Sequence, residues 1–335
     1  MQAPEFWYRT GPSLPAALLA PFASLYEGLG CLNRWMTTPM RVPVPIVCVG
    51  NLVAGGAGKT PTAIALARLL QAQGETVHFL MRGYGGSNRG PLRVDPAVHR
   101  ADEVGDEALL LVRTAPTWVG ADRRVIAHRA AEAGASVAIM DDGFQNPSIR
   151  KDLSIIVVDG SVGLGNGRVL PAGPLREDPR YALARADAVL VMGEDRAGIA
   201  RGIATLAARP IPMLAARLEP TQDARHLAGE RVYAFAGIGR PEKFFDTLRA
   251  AGCDVAGLKA FPDHYKFRSG DLAELRAAAK AVGAKLVTTE KDHVRLHPAD
   301  AEGIATFAVE TVFDDPGRIL TLVSPILTKA VHARS

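Results

Sequence analysis

Little in this sequence points to a disulfide scaffold, a nucleic-acid binder or a disordered chain. Its 335 residues carry three cysteines, Cys31, Cys48 and Cys253, odd in number and far apart. They form no C-x-x-C pair, so neither a disulfide framework nor a zinc site is indicated, and a reducing cytoplasm is the simplest compartment. Charge of one sign is scarce as well: 39 Lys and Arg face 35 Asp and Glu, a formal net of +4. There is no dense basic run and no nucleic-acid-binding motif. The small excess suits an anionic ligand or an anionic membrane surface, not DNA or RNA. No internal repeat or low-complexity tract is present, and 48% hydrophobic with 22% charged residues is a folded composition. The length exceeds one small core and accommodates two α/β domains.

What the chain does have is alternation. Apolar, β-branched runs at 44–49, 76–81, 136–140, 154–158 and 188–192 read as strands of a parallel sheet, with helical stretches between them. The first helix is expected over 59–73, with Ile64, Leu66, Leu69 and Leu70 on one face and Gly74 as its stop. Others follow at 106–113 and 122–133, the latter closed by Gly134. Residues 160–180, rich in Gly, Pro and Arg, read as a long functional loop. After 225 the alternation restarts, with strands at 231–236, 285–289 and 305–309 and helices at 241–251 and 270–282. The expected fold class is α/β: a P-loop NTPase-type, mostly parallel sheet with helices on both faces, plus a smaller C-terminal α/β domain. The expected divisions are 1–40, 41–225 and 226–335.

The strongest motif is Val53-Ala54-Gly55-Gly56-Ala57-Gly58-Lys59-Thr60, between a buried strand and a helix. That context suits a phosphate-binding loop, in which glycines let backbone N–H groups curl around phosphate oxygens at a helix N-terminus. Lys59 is placed to reach β- and γ-phosphates, and the Thr60 hydroxyl to hold Mg2+, so the implied cofactors are ATP and magnesium. Val53 stands where the usual pattern begins with glycine. A carboxylate is expected at the end of a neighbouring strand, and Val137-Ala138-Ile139-Met140-Asp141-Asp142-Gly143 offers two.

The first forty residues differ from the rest. From Gly11 to Leu32 they are largely apolar, with Trp7, Tyr8 and Trp35 at the ends and Arg9, Arg34 and Arg41 as flanks. A spanning helix needs about 20 mostly apolar residues, and Pro15, Pro21 and Glu27 interrupt this run. A cleaved leader fits badly with a nucleotide site so close behind. The pattern suits a helix lying in the membrane interface; the alternative is a helix packed on the protein's own core.

Six stretches occur in order: Gly50-Asn51 with Gly55-Gly56-Ala57-Gly58-Lys59-Thr60-Pro61, Arg82-Gly83-Tyr84, Val104-Gly105-Asp106-Glu107, Asp141-Asp142-Gly143-Phe144-Gln145, Gly173-Pro174-Leu175-Arg176-Glu177 and Phe261-Pro262-Asp263-His264-Tyr265. Together, over about residues 5–296, they closely resemble the tetraacyldisaccharide 4′-kinases, the lipid A 4′-kinases of Gram-negative bacteria. The resemblance implies phosphorylation by ATP of the 4′-hydroxyl of a membrane-held, tetraacylated glucosamine disaccharide 1-phosphate, giving lipid IVA. It implies a peripheral or N-terminally anchored protein on the cytoplasmic side of the inner membrane, with no obligate protein partner.

Residue roles follow from the same resemblance. Asp106 is the expected base and His264 its partner, brought together by domain closure, with Lys59 on the phosphates. Thr60, Glu107, Asp141 and Asp142 are the magnesium candidates. Arg82, Tyr84, Arg123, Arg176 and Glu177 are the candidates for holding phosphate or sugar, since a guanidinium fork suits phosphate oxygens. Arg123 and Arg124 fit a solvated helix face equally well. The polar cluster Thr288-Thr289-Glu290-Lys291-Asp292 follows a strand without an assigned mechanism.

Two positions depart from the family pattern. Asn146 stands where many members have His, so a titrating role there is in doubt, and Ala108 replaces a Pro after Gly-Asp-Glu. A switch or targeting ATPase is the rival from another class, but such proteins commonly carry a Lys before the Gly-Gly pair, and here it is Ala54. A kinase for a small cytosolic substrate would leave the apolar N-terminus unexplained.

Overall fold

The computed structural model describes residues 4–9 and 11–334, without the side chains of 329–334. The outer ends of the expected segments 1–40 and 226–335 therefore lie outside the described residues. In chain order the strands are β1 (Ile46–Gly50), β2 (Val77–Met81), β3 (Leu92–Arg93), β4 (Thr117–Val119) and β5 (Val137–Asp141). Next come β6 (Leu153–Asp159), β7 (Ala188–Met192), β8 (Met213–Pro220) and β9 (Arg231–Ala236). The last four are β10 (Asp254–Ala260), β11 (Lys285–Thr289), β12 (Ala305–Phe307) and β13 (Val309–Phe313).

Among the described residues these strands form two sheets. One has nine strands in the order β13-β8-β7-β6-β1-β5-β2-β4-β3; the other has four, β10-β9-β11-β12. Pairing is parallel except at the two edges of the large sheet, where β13 runs against β8 and β3 against β4. β1 is fully buried, which is why it is apolar at every position: both its faces are covered. Val47 and Val49 meet Leu66 and Leu70 of the helix Lys59–Gln71, and Ile319 and Val323 of the last helix join that same core. Cys48 faces the other way, onto a core shared with Ala182, Leu183, Ile199 and Ile203. Burial of a leucine such as Leu66 or Leu70 contributes about 1.5–3 kcal/mol.

The second sheet has its own two cores. Phe244, Phe245 and Leu248 cover Val232 and Ala234 on one face, and Leu272 and Leu275 cover Phe235 and Leu286 on the other. It takes residues 231–307 of the chain. The segment that follows returns to the large sheet, where β13 becomes an edge strand and Pro316–Arg334 a covering helix. The expected strands and helices of both sheets are present within a few residues. β3, β4, β8, β10 and β13 were not expected; β3 and β4 are only two and three residues long, and β10 is largely exposed and carries charge, so it lacks a clear apolar alternation.

The N-terminal helix, Leu14–Met36, is continuous. Pro15 sits in its first turn, where a missing N–H costs nothing, and the helix also runs through Pro21. Leu14, Leu18, Phe22, Leu25, Leu29 and Leu32 recur every three or four residues and are exposed, Leu14 by 74% and Phe22 by 61%. Only Ala16 and Ala23 of this helix are buried. The expected alternative, a helix packed on the protein's own core, is thus not what the structure has: the apolar stripe faces away from it.

Candidate active site

β1 lies between β5 and β6, so the loops that leave all three strands emerge along one edge. Ligands of open α/β sheets bind at such an edge. Residues 53–60 turn there. Gly58 has φ +89° just before the helix begins at Lys59, a conformation in which a side chain would be strained. Val53, in place of glycine, is buried and pairs with Leu175, while the Ala54 N–H donates to the Pro174 carbonyl at 2.8 Å. Inside the loop, Asn51 Nδ2 donates to the Val53 carbonyl at 2.6 Å. The missing first glycine is replaced by packing against the 160–180 loop.

Thr60 Oγ1 donates to Asp141 Oδ2 at 2.8 Å. Asp141 ends β5, 2% exposed, and its Oδ1 is buried without a hydrogen-bond partner. Burial pushes its carboxyl well above the usual carboxylate range; the Glu107 charge adds to this, against the pull of Lys59 and Thr60. A buried carboxylate with one free oxygen next to a hydroxyl and a phosphate loop is an arrangement that a magnesium ion fits. Among the described residues no three His, Cys, Asp or Glu side chains gather into a closed metal cage.

Asp142 behaves differently although it is the next residue. Arg176 Nη1 donates to its Oδ1 at 2.7 Å, and Lys59 Nζ lies 3.7 Å from the same atom. Burial raises its carboxyl, but Lys59 and Arg176 more than offset that and hold it below the usual range. Its φ of 53° is left-handed, a conformation that Asp tolerates better than most residues.

Asp106, 4% exposed, opens the helix Asp106–Leu111. Gly105 before it has φ +88°, and a Cβ there would stand 2.6 Å from the Tyr84 carbonyl oxygen. Only glycine lets the 82–84 and 105–107 stretches approach so closely. His264 Nδ1 lies 3.6 Å from Asp106 Oδ2, and the His264 backbone is also left-handed, φ 57°. Two neighbours without an assigned role in the sequence reading, one of them Lys291 of the 288–292 cluster, crowd the same oxygen. Arg295 donates to it through Nε at 3.0 Å and also through Nη2, and Lys291 Nζ lies 3.7 Å away. Lys291 donates to Glu107 Oε1 at 3.1 Å as well. Burial raises the Asp106 carboxyl, but Lys291, Arg295 and His264 outweigh it and hold Asp106 below the usual range. Arg295 is itself fixed by Asp292 Oδ1 at 2.7 Å and the Gly237 carbonyl at 2.8 Å.

The remaining candidates divide into exposed and buried groups. Arg82 and Tyr84 are exposed, and the Tyr84 ring meets the His264 ring edge-on at 6.0 Å between centroids. Arg123 is 4% exposed, donates to the Gly120 carbonyl, and is lowered to about 10 by burial and then by the Arg82 charge. A solvated helix face therefore describes Arg124, which pairs with Asp122, but not Arg123. Glu177 is 1% exposed and accepts from Arg185 at 2.7 Å and Gln145 at 3.3 Å, with Arg34 of the N-terminal helix 3.3 Å away. Its carboxylate anchors other side chains. Asn146 caps a turn, accepting from Ser148 N and Oγ at 2.9 and 2.7 Å.

Sequence reasoning passed over Arg295, Arg240, Lys243 and Asp159, and left Lys291 without a role. The 288–292 cluster was a visible signal for Lys291 and Asp292. Asp159-Gly160 after a buried strand repeats the pattern of Asp142-Gly143 and was equally visible. Nothing local marked the arginines; they reach the site only through the packing of the two sheets.

Residues 15–327 match the family model described as Tetraacyldisaccharide-1-P 4′-kinase. A tetraacyldisaccharide 4′-kinase of Rhodospirillum centenum is 51% identical over 333 residues, covering 98% of this chain and 97% of its own. One from Paramagnetospirillum magneticum is 51% identical over 332 residues, 98% of this chain and 100% of its own. Among solved structures, LpxK from Aquifex aeolicus in complex with ATP superposes with a TM-score of 0.73 at 26% identity, over 93% of this chain and 99% of that one.

Proposed function

Since the chain belongs to the tetraacyldisaccharide-1-P 4′-kinase family, kinases of lipid A biosynthesis, we infer that it transfers the γ-phosphoryl group of ATP to the 4′-hydroxyl of a tetraacyldisaccharide 1-phosphate. The observation that carries the reading is a continuous run of polar and charged groups. It leads from Lys59 and Thr60 through Asp141 and Glu107 to Lys291, Asp106 and His264. Nucleotide handling and proton handling meet there.

In this reading the loop 53–60 and Lys59 hold the phosphates of ATP. Thr60 and Asp141, with Glu107 and Asp142 beside them, hold a magnesium ion, which when bound neutralises charge on the phosphate oxygens. A sugar hydroxyl is a poor nucleophile, so its proton must leave as the bond to phosphorus forms. Asp106 takes that proton while the bond from phosphorus to the β,γ-bridging oxygen breaks and ADP departs. Arg295 occupies Asp106 Oδ2, which leaves Oδ1 to receive the proton, and His264 orients the carboxylate and shares its charge. Arg82, Tyr84 and Arg176 line the acceptor side, where arginine forks suit the 1-phosphate. Arg123 and Glu177, both buried, hold that wall in shape.

The second sheet, drawn from the expected segment 226–335, closes over this site, and the segment 1–40 supplies the contact with the membrane. The exposed stripe from Leu14 to Leu32 is long and apolar enough to enter a bilayer's interfacial zone, where the acyl chains of the acceptor reside. In this reading the protein works at the cytoplasmic side of the inner membrane, where ATP is available.

The test is transfer of label from γ-labelled ATP, with magnesium and mild detergent, into tetraacyldisaccharide 1-phosphate. Label should enter the lipid fraction, and Lys59→Ala should lower the rate by about 10²- to 10³-fold, the range for loss of one transition-state donor. ATP hydrolysis that Lys59→Ala removes, without label in the lipid, would keep the nucleotide loop and sink the acceptor assignment.

A further inference from the structure

Two cations from the second sheet's side reach over the nucleotide loop, and the chemistry above gives them no part. Arg240, the residue before the helix Pro241–Ala250, donates through Nη2 to the Gly56 carbonyl at 2.6 Å and to Asp159 Oδ2 at 2.5 Å. Lys243, in the first turn of that helix, donates to the same Oδ2 at 2.6 Å. Asp159 ends β6, is 4% exposed, and gives its other oxygen to Ser161 N and Oγ at 2.9 and 2.5 Å. Two positive groups thus converge on one carboxylate oxygen, and the rim of the loop keeps an excess positive charge. Tyr8 flanks it: its hydroxyl lies 4.0 Å from where a Cβ on Gly55 would stand.

The position of this cluster says which part of a nucleotide it faces. β1 has two neighbours. β5 ends in Asp141, bonded to Thr60, on the side of the terminal phosphate and the acceptor. β6 ends in Asp159, on the opposite side; with residues 53–60 read as the ATP site, that side is left for the part of ATP that is not transferred. A guanidinium and an ammonium sharing one carboxylate oxygen have donors to spare, and a phosphate oxygen satisfies them better than a carbonyl does.

We propose that Arg240 and Lys243 are nucleotide-binding residues contributed by the second sheet, which take the inner phosphates of ATP, and that Asp159 competes with the nucleotide for them. This rests on the reading of residues 53–60 as the ATP site. The same ion pairs have a plainer use, as a latch between the two sheets, and the two uses differ in sign. In a latch, removing either partner breaks the same bond and acts in the same direction. In a binding site with a built-in competitor, removing the cation weakens ATP and removing the anion strengthens it.

The experiment measures KM for ATP, KM for the lipid acceptor and inhibition by ADP in the full-length protein in detergent, for Arg240→Gln, Lys243→Met and Asp159→Asn. Arg240→Gln should raise KM for ATP and the inhibition constant of ADP together by about tenfold, the loss of one charge-assisted hydrogen bond, with KM for the lipid within about twofold. Lys243→Met should do the same more weakly, and Asp159→Asn should lower KM for ATP by about threefold. Arg240→Lys, which keeps the charge, should recover part of the loss, and melting curves without nucleotide report any general loss of folding. The proposal is overturned if Asp159→Asn and Arg240→Gln shift KM for ATP in the same direction, or if ADP inhibition does not change. Lys59→Ala, run alongside, separates the two readings: if it leaves turnover intact, residues 53–60 are not the ATP site and both fall. If it abolishes turnover while the Arg240 and Lys243 variants keep the parent KM, only the present proposal fails.

Discussion

Asp141 and Asp106 are the same residue type at nearly the same burial, 2% and 4% exposed, yet their carboxyls move in opposite directions. Asp141 belongs wholly to the large sheet. Its partner is a neutral hydroxyl, its other oxygen is unpartnered, and Glu107 adds a like charge. Asp106 sits where the two sheets meet, and Lys291, Arg295 and His264 all come to it from the second. Burial alone raises a carboxylate; cations supplied by another part of the molecule reverse the sign. One aspartate is left short of positive charge, which the proposed cation site requires. The other is held ionised, which the proposed base requires before it can accept a proton.

The largest expected break in this comparison is Asp106→Asn. Removing a general base costs about 10²- to 10⁴-fold in kcat, with magnesium dependence unchanged, read from label transfer at saturating ATP. Turnover at the parent rate would reassign the base. Asp141→Asn should instead weaken magnesium by about 10- to 100-fold, the range for losing a group that orients a bound metal, visible as a shifted magnesium titration of activity.

The same pair of variants separates the two aspartates by stability. The Asp141 carboxyl is raised in the folded protein, so it binds protons more tightly folded than unfolded. Its stabilising contribution is full below the unfolded value and is lost as pH rises through the folded one. Without magnesium, Asp141→Asn should therefore gain in melting temperature relative to the parent as pH rises. Asp106 is lowered, so its contribution is present above the unfolded value and lost as pH falls through the folded one. Asp106→Asn should be less stable than the parent near neutrality, and the gap should close in acid. Like signs for the two variants near neutral pH would refute the contrast.

The smallest effect, and the finest probe, is Arg295→Met. It leaves both aspartates in place and removes the main hydrogen-bonding cation from Asp106. The acidic limb of the kcat/KM profile should move to higher pH, with a loss of a fewfold at neutrality. An unmoved limb with a simple drop in rate would mean that Arg295 supports the fold only.

The central strands of the large sheet, β1, β2, β5, β6 and β7, were legible because they are buried along their whole length and largely apolar, and Gly74 and Gly134 marked helix ends. The nucleotide loop was legible because its chemistry is local: Gly58, Lys59 and Thr60 are consecutive. The position of Asp141 at the end of a buried strand was legible in the same way. β3, β4, β8, β10 and β13 were not legible, since strands at or next to a sheet edge that are short or carry charged or small residues lack a strong alternation. Nor was the unbroken course of the N-terminal helix through Pro21, because one proline within a long helix is tolerated at a cost that sequence pattern does not price.

The sequence by itself determined a phosphate-binding loop, a carboxylate at the next strand's end, an apolar N-terminal stripe and the family that these stretches resemble. Each is set by neighbouring residues and short-range backbone geometry. Only the tertiary structure decided which charges stand beside which carboxylates. Arg295 is 189 residues from Asp106, and Arg240 is 81 from Asp159. Electrostatic environment depends on distance in space, and no pattern along the chain encodes separations of that length.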